Sequence, residues 1–116
     1  MREDVRRKLV ETARKGGRIT YGELMRSFGI ARGRSIGRVL EEICLHETSE
    51  GRPPLGSIVV LRGGDYPSGG FLAVFPGRYS GLRRDDPRAR RLMREDQERT
   101  WEYWRRARPA RINANS

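Results

Sequence analysis

Few residues of this 116-residue chain are of the types and spacings that carry out chemistry. Cys44 and His46 stand two apart and are the only cysteine and the only histidine. A nucleophilic thiol must be accessible and paired with a base. Cys44 instead continues the apolar series Ile36, Val39, Leu40 and Ile43 at helical spacing, which predicts a buried, structural cysteine with His46 at the boundary. One cysteine allows no internal disulfide, and one histidine beside it allows neither a cysteine-rich nor a histidine-pair zinc site. The acidic pairs Asp85-Asp86 and Glu95-Asp96 are flanked by arginines, which predicts surface ion pairs rather than the clustered carboxylates of a metal-dependent nuclease. Ser57 and Ser68 lack a base at a recognisable spacing, and Gly63-Gly64 and Gly69-Gly70 fit turns, not a phosphate loop. The expectation is a protein without catalytic residues, metal or cofactor, and not an enzyme.

Charge is the stronger signal. The net charge is +10, and Lys8 and Lys15 are the only lysines among 25 basic residues. Arginine grips phosphate through a planar fork and stacks on bases, so the bias fits a nucleic-acid partner. A codon or ion-pair preference explains arginine in place of lysine, but not the surplus of positive charge. Hydrophobic residues make up 35% of the chain and charged residues 34%, so a core forms only if the apolar side chains share a few faces. The length fits one domain, expected over residues 1–108, with a loose tail at 109–116. No stretch approaches the about 18 apolar residues of a membrane span, and the charged start Met1-Arg2-Glu3-Asp4 is unlike a signal peptide, which predicts a cytoplasmic protein with no membrane partner.

The elements that must position the arginines are legible in outline. Val5, Leu9, Thr12 and Ala13 space a helix over 2–15, stopped by Gly16-Gly17. After an extended step at Ile19, Thr20 and Glu23 form a capping box for a short helix that ends at Gly29. A turn at 30–33 leads to an amphipathic helix over 34–47, with Arg34 and Arg38 opposite the apolar stripe. Residues 57–61 and 71–75 read as two strands joined by a glycine-rich hairpin tip at 62–70. A basic connector precedes a long helix opened by Pro87, whose stripe contains Leu92, Met93, Trp101 and Trp104.

Two short helices around a glycine-bearing turn, followed by a hairpin, describe an α+β winged helix-turn-helix with a two-stranded wing and a C-terminal helix. That layout predicts duplex-DNA binding, with helix 34–47 in the major groove. Tyr21, Arg32, Arg34, Ser35 and Arg38 become the reading residues, Arg62 the wing contact, and Arg83, Arg84, Arg90 and Arg91 additional backbone contacts. Two other readings compete. Trp101, Tyr103 and Trp104 suit RNA or single-stranded nucleic acid if they are free to stack, and the wing and last helix suit a protein-interaction module.

The run Thr20-Tyr21-Gly22-Glu23-Leu24, then Gly29, then Arg34-Ser35-Ile36-Gly37-Arg38-Val39-Leu40 resembles the DNA-binding domain of the alkylguanine-DNA alkyltransferases and alkyltransferase-like proteins. Val59-Val60 and Gly69-Gly70-Phe71 resemble the region after that family's Pro-Cys-His-Arg motif, so the likeness spans about 17–71. It implies that Arg34 is a finger filling the gap left by a flipped nucleotide, and that Tyr21 contacts the target phosphate. Leu55-Gly56-Ser57-Ile58 stands where the family has Pro-Cys-His-Arg, so the thiol and histidine of self-alkylation are missing. The Trp-Glu-Tyr-Trp helix is foreign to alkyltransferases and is nearer to a group of small prokaryotic proteins without an established activity.

Overall fold

The computed structural model describes residues 1–107, so the tail expected at 109–116 lies outside the described residues. The chain runs α1 (Glu3–Arg14), β1 (Ile19–Thr20), α2 (Tyr21–Phe28), α3 (Arg34–Ser49), a 3₁₀ turn (Leu55–Ile58), β2 (Val59–Val60), α4 (Gly69–Val74), α5 (Pro76–Tyr79) and α6 (Pro87–Arg106). It is a helix-rich α+β protein whose sheet has two parallel strands, Ile19 opposite Val59 and Thr20 opposite Val60.

Local chemistry sets most helix ends. Thr20 accepts from the Glu23 amide while the Glu23 carboxylate takes the Thr20 amide, which satisfies two end donors of α2. Gly29 closes that helix at φ 62°, a left-handed conformation that favours glycine. Asp86 caps α6 through the Arg88 amide, with Pro87 in the first turn.

The two-stranded wing is not formed. Residues 71–74 belong to α4, and 61–68 are an irregular loop rather than a hairpin tip. Of the strand expected at 57–61, only Val59–Val60 is extended, and it pairs with β1. The physical reason is packing. Phe71 and Leu72 are both buried, which a strand's alternation would forbid for neighbours on a half-exposed sheet. Phe71 meets Phe75 and Tyr79 edge-on at 5.6 and 5.9 Å, so the short Phe-Leu-Ala-Val run is more stably helical.

Two apolar clusters hold the elements. One joins Val5, Leu9 and Ala13 of α1 to Leu24, Leu40, Ile43, Ile58, Val59 and Trp104. The other gathers Cys44, Phe71, Leu72, Tyr79, Ala89 and Met93. The basic connector thus contains α5, whose buried Tyr79 donates a 2.7 Å hydrogen bond to Asp96. Asp96, expected in a surface pair, is 1% exposed and is also held by Arg78 and Arg99. Glu47, at the acidic end of α3, is fully buried between Arg6 and Arg52, each 2.7 Å away.

Candidate nucleic-acid interface

α3 presents the arginines. Ile36, Leu40, Ile43 and Cys44 are buried, leaving Arg34, Ser35 and Arg38 exposed on the other side. Arg32, in the turn before the helix, is exposed as well. Among the described residues, none of Arg32, Arg34 and Arg38 forms an ion pair, although twelve such pairs occur there. No side chain caps α3, and its first turn carries no acidic residue. Amide donors, the positive end of the helix dipole and two arginines therefore coincide, a combination that favours phosphate.

Arg34 and Arg38 border a cavity of about 280 Å³ between α3 and α4, with Tyr21 on its wall and Leu40, Phe71 and Val74 as apolar lining. Its size is near the lower limit of about 300 Å³ for small-ligand pockets. Tyr21 is half-buried, and its hydroxyl accepts a 2.9 Å hydrogen bond from the Ser68 amide. The Ser68 side chain also lies beside this hydroxyl, on the wall of the same cavity. Burial raises the Tyr21 pKa, outweighing the opposing bond from Ser68, which keeps the phenol protonated. Glu41 is the one acid on the cavity wall.

Gly37, Ser68, Gly70 and Phe71 belong to this site and were not singled out as site residues in the sequence. Gly37 carried a signal: a glycine inside a helix costs about 1 kcal/mol relative to alanine and calls for a packing reason. Here it lines the cavity between Arg34 and Arg38, and a Cβ at this position would meet no neighbouring atom.

The cavity contains a sulfur, supplied from an unexpected direction. Cys44 of α3 lines it, and the Gly56 amide donates to its Sγ at 3.2 Å. A Cβ on Gly56 would stand 2.6 Å from that sulfur, so Cys44 fills the space that a side chain at 56 would need. Burial pushes the Cys44 thiol up to about 12, only partly offset by the Gly56 amide. The sulfur is a protonated packing group and not a nucleophile.

The remaining basic residues divide. Arg62, Arg84 and Arg90 line a second concavity, distinct from the one at Tyr21. Arg83 and Arg91 are exposed and line neither, and Arg83 stands 3.7 Å from Asp85. Of the predicted contacts, Tyr21, Arg34 and Arg38 thus share one concavity and Arg62, Arg84 and Arg90 another, while Arg32, Ser35, Arg83 and Arg91 line neither.

The tryptophans are engaged elsewhere. The Trp101 indole N–H donates to the Gly17 carbonyl at 2.8 Å, with Arg18 over its ring. Trp104 is 7% exposed, with Arg6 and Arg14 each 5.7 Å from its centroid. Both indoles clamp α6 to the body, whereas Tyr103, between them in the stacking reading, is exposed. Among the described residues no three His, Cys, Asp or Glu side chains group as a metal site, and no helix is long and apolar enough to cross a membrane. Comparison with protein-family models, curated proteins and solved structures finds no match to this chain.

Proposed function

We propose that the protein binds duplex DNA without catalysis, through α3 of a helix-turn-helix in which the 61–68 loop replaces a hairpin wing. The observation that carries this is the unpaired Arg34–Arg38 face, one turn apart on an uncapped helix and opening on the Tyr21 cavity. Uncompensated like charges repel one another, so a face built this way favours a polyanion. Helix residues near the N-terminus are those that reach base edges when such a helix enters the major groove.

The cavity extends the reading. A base rotated out of the stack needs an apolar slot beside the groove and a donor for its edge, which Leu40, Phe71 and the Tyr21 hydroxyl supply. Gly56 and the protonated Cys44 leave such a base chemically untouched. Binding is the whole activity in this account.

The test is a titration of a labelled duplex against the protein at about 50 mM and about 200 mM salt. Tight binding at low salt that falls steeply with added salt supports the reading. Absence of binding at low salt, or an affinity indifferent to salt, overturns it.

A further inference from the structure

We propose that Arg62, Arg84 and Arg90 form a second, separate anion site that takes a phosphate group. Three segments meet there: the 61–68 loop and, farther along the chain, the end of the connector and the first turn of α6 that directly follows it. Together they line an open concavity of about 360 Å³, with Gly63 and Gly64 on its wall. The likeness to alkyltransferases ends before two of these three segments, so nothing in it assigns this site.

Arg84 and Arg90 are positioned without being neutralised. Arg84 donates through Nε to the Pro67 carbonyl at 2.9 Å and through a terminal nitrogen to the Tyr66 carbonyl at 3.5 Å. Both partners are neutral, so its charge is fixed in place and not cancelled. The Arg90 guanidinium lies 5.5 Å from the centre of the Tyr66 ring, again without a carboxylate. Arg62 is exposed and makes no ion pair among the described residues. Asp65 also lines the concavity, yet it pairs with none of the three. Three guanidinium groups around one hollow outnumber its single carboxylate, which leaves a surplus of positive charge there, and Arg forks match phosphate oxygens.

The backbone adds donors. The Gly64 amide closes a turn on the Leu61 carbonyl at 2.9 Å, while Gly63 sits at φ 75°. The amides of Arg62 and Gly63 donate to no protein acceptor among the described residues. Consecutive free amides running into a left-handed glycine make a small anion-binding concavity.

Phosphate is the shared chemistry of two sources, a backbone phosphodiester and a terminal or free phosphomonoester. The first source rests on the duplex-binding reading and the second does not. The experiment therefore has two arms, both comparing the wild type with the Arg62→Ala/Arg90→Ala variant, which spares the loop anchor Arg84. Circular dichroism and Tm confirm that the variant is folded.

In the first arm inorganic phosphate replaces chloride at constant ionic strength, followed by amide NMR. Saturable shifts at Gly63 and Gly64, absent at Gly37 and lost in the variant, support the site. In the second arm a duplex without terminal phosphates is titrated across salt. A fall of about 1–2 in the salt slope, with about tenfold weaker binding in the variant, assigns the backbone as the source. Phosphate shifts with unchanged duplex binding, or with no duplex binding by the wild type, support the site and assign a phosphomonoester; the latter overturns only the duplex-binding reading. Glycine amides unmoved by phosphate, together with an unchanged salt slope, overturn the proposal.

Discussion

At the scale of residues, the Gly56–Cys44 contact is the sharpest constraint in the molecule. A methyl group at 56 meets Cys44 Sγ at 2.6 Å, so one of the two must shift along the cavity that both of them line. Gly56→Ala is expected to lower stability by about 1–3 kcal/mol in denaturant unfolding, and Cys44→Ala in the same chain should recover part of the loss. A buried thiol with a pKa of about 12 should also resist iodoacetamide at neutral pH until denaturant is added. Rapid alkylation of the folded protein would contradict that account. The burial of Cys44 was legible from its place on the apolar stripe. Its approach to Gly56, twelve residues away, was not, because it depends on how α3 meets the 3₁₀ turn.

At the scale of elements, features determined by neighbouring residues could be read and those determined at a distance could not. The α2 capping box is written in Thr20 and Glu23, three residues apart. Thr20→Ala should cost about 1 kcal/mol in thermal or chemical unfolding, and a loss below a few tenths would show that the cap matters little. The start of α3 and its exposed arginines followed from the same local periodicity. The segment 71–75 did not, because a five-residue apolar run fits a buried strand or a helix equally well until its neighbours are placed. Asp96 reads as a surface acid for the same reason, and nothing local marks Glu47 for burial. Arg6 reaches Glu47 across 41 positions and Arg78 reaches Asp96 across 18, and no local pattern announces either pair.

At the scale of the whole molecule, the ion pairs around Glu47 link α1, α3 and the loop that follows it. Burial alone would raise the Glu47 pKa, but the hydrogen bonds and charges of Arg52 and Arg6 outweigh it and hold the carboxyl below its usual value. A carboxylate with a depressed folded pKa contributes stability that is present above its unfolded pKa, about 4.3, and lost as pH falls through the folded value. Glu47→Gln should therefore destabilise the protein by about 1–3 kcal/mol at neutral pH, with a smaller gap between variant and wild type under strongly acid conditions. A constant gap across that range would place the cost in packing alone.

A further open groove on α6 mixes Glu95, Glu98 and Glu102 with Arg99 and Arg106, apart from the Arg34–Arg38 cavity and the Arg62 concavity. The central claim is that position, and not net charge, directs the protein to DNA. It is tested most directly by duplex affinity at low salt for two variants of equal charge, Arg34→Ala/Arg38→Ala and Arg105→Ala/Arg106→Ala. Arg105 and Arg106 both pair with Glu102. Loss of groove contacts is worth about 1–3 kcal/mol each, so the first variant should bind at least about tenfold more weakly, with the second close to wild type. Equal losses in the two variants, or none in the first, would contradict the assignment of α3 as the DNA-reading helix.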